Sequence, residues 1–465
     1  MRYISTRGHA PELDFADVLL AGLAEDGGLY VPQTWPHFSP ADLRAMRGLP
    51  YAELAARVMQ PFVGEAIAFH DLQRMCREAY AGFGHPAVTP MVQLETNLWS
   101  LELFHGPTLA FKDLAMQVLG RMFDHVLTRQ GRRVTIVAAT SGDTGSAAIE
   151  AFRGRPQVDV VILHPHGRTS EVQRRQMTTV DSPNIANVAV EGTFDDCQDL
   201  VKAMFSDLPF RRDLHLSAVN SINWARIAAQ IPFYVAASLA LGGPDREVSF
   251  SVPTGNFGNV LAAWAARRIG VPIARLVVAS NRNDILARFF DSNDMVARPV
   301  EPSLSPSMDI QVSSNFERLL FELLDRDPAA TAATMQRFRA TGAMHVPDAA
   351  WHRTRTLFHG FRLDDAATTT EIRRLHDQGY LADPHSAIGI AAARAMTCPH
   401  IPMVAAATAH PAKFPDAMQA ATGARPPLPP RMADLYERPE LYTVAPNDLA
   451  AIEAKVRAFS LRNAA

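Results

Sequence analysis

From about residue 98 the chain alternates two patterns of apolar and polar positions. Short, uniformly apolar runs rich in β-branched residues read as strands: VTIVAAT (134–140), VDVVILH (158–164), NVAVEG (187–192), EVSFSVP (247–253), ARLVVAS (274–280) and IPMVAAAT (401–408). Uniform apolarity, in place of alternation, is what parallel strands covered on both faces require. Between them lie segments of helical periodicity at 143–153, 195–206, 221–240 and 258–269. This alternation predicts open, twisted α/β lobes. Residues 1 to about 95 carry helical patterns with turns at Asp26-Gly27-Gly28 and Gly82-Phe83-Gly84. The expected division is a mostly helical N-terminal domain (1–97), a small α/β lobe (98–220), a large α/β lobe (221–423), and a C-terminal linker and helix (424–465). The proline-rich ARPPLPPR (424–431) supplies the linker, and segments of the two lobes are free to interleave.

One helix breaks the polar–apolar rule. In HGPTLAFKDLAMQ (105–117), Pro107 suits the first turn of a helix. At 100° per residue, Ala115, Met116, Leu119, Phe123 and Val126 then form a stripe within about 40° of Lys112. Asp113, Gln117, Arg121 and Asp124 form the opposite, polar face. Lys112 thus lies on the face expected to be buried. A snorkelling side chain would satisfy the pattern. So would an amine whose pKa is lowered by burial and by the nearby helix N-terminus, ready to form a Schiff base.

Composition sharpens that choice. Lysine occurs only at Lys112, Lys202, Lys413 and Lys455 among 45 basic residues, so arginine fills 41 positions. Lysines that persist in such a chain include positions where a guanidinium, which does not deprotonate, fails. The net charge of -3 gives no reason to expect nucleic acid or anionic lipid as partner. No apolar run has the length of a membrane span. Cys76, Cys197 and Cys398 are scattered, which predicts no disulfide framework and a reducing, cytoplasmic setting. No metal-binding motif is present.

Two loops suit anions. ATSGDTGSAA (139–148) and PTGNFGNVLAAW (253–264) each follow a strand and open a helix, with small residues that let backbone N–H groups converge. Ordinary βα turns share this composition. Neither is GxGxxG or a P-loop. NSINWARIAAQ (220–230) sets Ser221, Asn223 and Arg226 at a helix start, where Ser and Asn also serve as caps. ATAHPAKFPDA (407–417) ends a strand with Thr408, His410 and Lys413, and SMDI (307–310) places Asp309 after a proline-rich loop.

Together ELFHGPTLAFKDL, TSGDTG, NSINWAR, VPTGNFGN, SMDI and TAHPAKF resemble the threonine synthase family of fold-type-II pyridoxal-phosphate enzymes. MRYISTRG resembles the family's N-terminus, and the motifs run in family order to about residue 417. The resemblance implies a tryptophan synthase β-like fold with the cofactor between two lobes. It implies pyridoxal 5'-phosphate held by Lys112 as a Schiff base. Gly255, Asn256, Phe257, Gly258 and Asn259 would hold its phosphate, Thr408 its ring nitrogen, and Asp143 would lie near the ring. Ser141, Gly142 and Thr144 would meet the substrate carboxylate. Ser221, Asn223 and Arg226, assisted by Lys413, would hold the substrate phosphate. The implied reaction converts O-phospho-L-homoserine and water to L-threonine and phosphate, in a monomer or homodimer. A phospholyase or dehydratase on the same scaffold would release a 2-oxo acid and ammonia.

Overall fold

A computed structural model describes residues 1–464. Two sheets organise it. Six strands run in the order Phe358–Arg362, Ile273–Ser280, Val248–Pro253, Met403–Ala407, Leu98–Glu102 and Met91–Glu95. All neighbours are parallel except the last pair, a hairpin. Five parallel strands form the second sheet, in the order Thr443–Pro446, Ile185–Glu191, Val158–Pro165, Val134–Ala139 and Leu216–Ser217. The strands expected from uniform apolarity are all present. Val158–Pro165 is buried at all eight positions and Val248–Pro253 at all six, as two covered faces demand.

The lobes interleave. Strand Leu98–Glu102 pairs with Met403–Ala407 in the six-stranded sheet, with Leu98 opposite Met403. The segment after 424, expected as linker and helix, also supplies Thr443–Pro446 to the edge of the five-stranded sheet. Its helix Leu449–Ala464 places Ile452 and Val456 in that lobe's core. The proline-rich stretch is fastened down. Arg431 donates from Nη2 to the Gly106 carbonyl at 2.6 Å, and Met432 and Leu435 pack with Leu109 and Val172.

The N-terminal region holds helices Phe15–Ala21, Pro40–Ala45, Tyr51–Val63 and Phe69–Tyr80. It also holds a two-stranded ribbon, Tyr3–Ser5 with Tyr30–Pro32. Thr6 donates to Glu317 at 2.7 Å, and Arg7 grips the same carboxylate through two nitrogens at 2.8 and 2.9 Å. The first residues are thereby joined to helix Phe316–Leu323. The segment expected as one helix over 221–240 is two, Trp224–Ala228 and Ile231–Ala240, with Pro232 in the first turn of the second. No helix among the described residues is long and apolar enough to cross a membrane.

The helix carrying Lys112 begins later than expected. It spans Lys112–Gln130, and Lys112 is its first residue. Pro107 lies in a turn ahead of it. Leu109 adopts a left-handed φ of 62°, which no continuous helix tolerates. Asp113 closes the turn by accepting from the Thr108 amide at 2.8 Å and its hydroxyl at 2.6 Å. The apolar stripe is buried as expected. The opposite face is not a solvated one: Asp113 and Gln117 are also buried, because helices Phe69–Tyr80 and Asp143–Phe152 pack along this helix.

Candidate active site

Residues 109–111 and 408–410 join HGPTLAFKD to TAHPAKF through short antiparallel pairing. Phe111 donates its amide to the Thr408 carbonyl at 2.8 Å, and His410 donates to the Leu109 carbonyl at 3.0 Å. Two segments some 300 residues apart are thus one strip of backbone, with Lys112 at its end. Lys112 is largely but not fully buried, its side chain 13% exposed. Its Nζ lies 3.0 Å from Asp143 Oδ2 and 5.0 Å from the Phe111 ring centre. Burial pushes this amine below its ordinary range, Asp143 pulls it back up, and the charges of Lys413 and Arg226 push it further down.

Asp143 opens helix Asp143–Phe152 after strand Val134–Ala139. Gly142 makes the turn possible at φ 143°, where a Cβ would also strike the Gln173 side chain at 2.7–2.8 Å. Thr140 accepts the amides of Gly142 and Gly145, each at 2.9 Å. Ser141 is exposed and Thr144 half-buried at this turn. Burial alone would raise the Asp143 carboxyl, yet Lys112 and Lys413 hold it well below the usual carboxylate range. Gln173, which no sequence motif marked, donates to its Oδ1 at 2.8 Å.

The loop 255–259 leads into a helix whose start is open. Phe257 takes a left-handed φ of 61° to open helix Gly258–Arg268, whose N-terminus has no side-chain cap. Its amide groups are therefore available to an anion. A Cβ on Gly255 would fall 2.4 Å from the Ser307 carbonyl oxygen, so the close approach of this loop to SMDI requires glycine. Asn259 accepts from the Tyr234 hydroxyl at 2.5 Å, while its buried Nδ2 has no partner. Ser313 and Asn315 bond the carbonyls of Gly255 and Asn256. Thr408 is buried, and its amide is donated to Ser386 at 3.0 Å.

Asn315 also donates to the Ser221 carbonyl at 3.0 Å, tying this loop to NSINWAR. Arg226 is 3% exposed and lies near enough for its charge to act on Lys112. Its Nη1 donates to the Val219 carbonyl at 3.0 Å, its Nε has no partner, and no carboxylate among the described residues pairs with it. Burial pushes its pKa down to about 10. An unpaired buried guanidinium is a site for an anion.

Two expected contributors are engaged elsewhere. Asn223 caps Trp224–Ala228 through the Ala225 amide and donates to the Leu19 carbonyl at 2.9 Å. Lys413 is fully buried, with Nζ 2.8 Å from Asp143 Oδ1 and 2.7 Å from the Thr108 carbonyl. Asp309 is a structural hub, accepting from Asn281, Asn283 and Ser303.

A buried amine, an uncapped helix start with an orphaned Asn259 amide, and a lone guanidinium suit pyridoxal phosphate beside a second phosphate. Comparisons with known proteins support the cofactor. Family models match over nearly the whole chain: threonine synthase N terminus at residues 2–80, pyridoxal-phosphate dependent enzyme at 83–402, and threonine synthase, C-terminal at 386–456. The threonine synthase of Pseudomonas aeruginosa is 55% identical, covering 98% of each chain. The crystal structure of pyridoxal-phosphate-bound threonine synthase from Brucella melitensis superposes with a TM-score of 0.97 at 53% identity, covering 99% of each chain. The yeast threonine synthase structure gives 0.94 at 36% identity, with the same coverage. The chain belongs to the threonine synthase family of pyridoxal-phosphate-dependent enzymes.

Proposed function

We propose that this site converts O-phospho-L-homoserine and water to L-threonine and phosphate. The observation that carries the reading is the largely buried Lys112 amine set near an Arg226 guanidinium that no carboxylate among the described residues neutralises. Lys112 would hold the cofactor covalently. The amides of 255–259 and Asn259 Nδ2 would hold its phosphate, and the Thr408 hydroxyl would face its ring nitrogen. Bound pyridoxal phosphate supplies the electron sink that stabilises negative charge on the substrate's α-carbon. The chain's own groups do the rest. Arg226, with the backbone at Ser221, takes the substrate phosphate by charge-assisted hydrogen bonds. The turn Ser141–Gly142–Thr144 orients the carboxylate at a helix start. Lys112, once its amine is free, moves protons at the α- and β-carbons, a task suited to an amine lowered toward working pH by burial. The largely buried surroundings would limit the access of bulk water to the substrate's α-carbon.

Product analysis with O-phospho-L-homoserine tests the reading. L-Threonine and phosphate in equal amounts are expected. A 2-oxo acid with ammonia as the main product would assign the site to a deaminating lyase. Borohydride reduction followed by peptide mapping should place the cofactor on Lys112, and a label elsewhere would overturn the assignment.

A further inference from the structure

We propose that Lys413 is a positioning residue for Lys112: its ammonium holds Asp143 as a carboxylate, so that Asp143 need not draw a proton onto the Lys112 amine. The inference rests on the reading of Lys112 above. Its basis is the division of labour on one carboxylate. Oδ1 takes Lys413 Nζ at 2.8 Å and Gln173 Nε2 at 2.8 Å, while Oδ2 faces Lys112 Nζ at 3.0 Å. Lys413 is fully buried, and its second contact, the Thr108 carbonyl at 2.7 Å, fixes it to the turn that starts the Lys112 helix. Lys413 therefore reports to both motifs without being free to reach a substrate phosphate.

Charge accounting supports the assignment. The charged groups that bear on this spot are Lys112, Lys413, Arg226, Asp143 and Asp113. Asp113 is engaged by Thr108 and feels Lys413, while Arg226 has no carboxylate partner among the described residues. With Lys413 charged and Lys112 neutral, Asp143 has one counter-charge and needs no other. With both lysines charged, two ammonium groups share one carboxylate beside an unpaired guanidinium, in a site where water screens little. The second arrangement is the costlier one. Without the Lys413 charge, Asp143 has only Lys112 to neutralise it, and the Lys112 pKa rises.

Lysine scarcity makes the test direct. Lys202 and Lys455 are exposed, so they serve as internal references for amine labelling. The full-length enzyme, cofactor removed with hydroxylamine, is pulse-labelled with acetic anhydride across a pH series, and the Lys112 peptide is quantified by mass spectrometry. Lys413→Gln removes the charge while keeping a donor for the Thr108 carbonyl, and Lys413→Met serves if the first does not fold. Either neutral variant should raise the midpoint of Lys112 labelling by about 1 pH unit or more, since a nearby charge acts on that scale. Lys413→Arg should keep the midpoint near that of the wild type. In the holoenzyme, the pH midpoint of the cofactor's absorbance should move in the same direction. An unmoved or lowered midpoint in the neutral variants overturns the proposal. So does an unmoved midpoint combined with weaker binding of inorganic phosphate, which would make Lys413 a phosphate ligand. Borohydride mapping of the wild type separates this failure from failure of the Lys112 assignment.

Discussion

Replacing Arg226 with methionine should leave the protein more stable and much less active. The guanidinium is buried, and its pKa is pushed well below the ordinary arginine range, down to about 10. At ~1.4 kcal/mol per tenfold change in proton affinity, that is a folding cost of about 3 kcal/mol. The sign follows from the group being a base. A lowered folded-state pKa means that the charged form is disfavoured by folding, so the cost is present in full below about pH 10 and fades above it. Losing the bond to the Val219 carbonyl returns about 1 kcal/mol of that. The net gain for Arg226→Met is about 2 kcal/mol, flat between about pH 6 and 9. For 465 residues at ~2.1 cal/mol/K each, this raises the Tm of the holoenzyme by about 2 °C. Inorganic phosphate at a hundredfold excess over its Kd should stabilise the wild type by about 2.7 kcal/mol, and the variant hardly at all. Two lost charge-assisted bonds to the substrate should lower kcat/KM by at least about 10²-fold. Calorimetry with and without phosphate, alongside steady-state kinetics, makes the comparison. A variant that melts well below wild type yet keeps the phosphate response would refute the argument and make Arg226 a structural residue.

Two further changes probe the cradle. Gly255→Ala places a methyl group 2.4 Å from the Ser307 carbonyl, and an overpacking cost of ~1–3 kcal/mol should lower cofactor affinity by about tenfold or more in a fluorescence titration. Gly258→Ala, whose Cβ would meet its nearest atoms at 3.4 Å, should do less, and equal effects would contradict the steric account. Asn315→Ala severs 3.0 Å bonds to both the Asn256 and Ser221 carbonyls, at ~1 kcal/mol each. Cofactor Kd and substrate KM should therefore rise together, and a rise in only one would show that the two loops are independent.

Features carried by local pattern were legible in the sequence. Uniform apolarity marked the buried parallel strands, and helical spacing marked the buried stripe that includes Lys112. Features set by distant contacts were not. The helix start at Lys112 depends on Leu109 and Asp113, held by pairing with residues 408–410. Gln173 and Lys413 reach Asp143 from segments 30 and 270 positions away, and no spacing rule connects them. Asn223 reads from its position as a cap, and only the family resemblance makes it a ligand; it bonds the Ala225 amide and the carbonyls of Leu19 and Ala218, contacts that no spacing rule foretells. Thr443–Pro446, mostly exposed, becomes a strand only by pairing with Ile185–Glu191.

That last pairing, and the insertion of Met403–Ala407 between Val248–Pro253 and Leu98–Glu102, bear on how the chain is made. The strand that closes the edge at Ile185–Glu191 emerges some 250 residues after it. At about 5–20 residues per second, a growing polypeptide carries that bare edge for roughly 10–50 s. The central strand of the other sheet is likewise the last of its six to be synthesised. An unfilled sheet edge recruits other chains. The pace of translation thus sets how long newborn molecules are open to pairing with one another instead of with themselves.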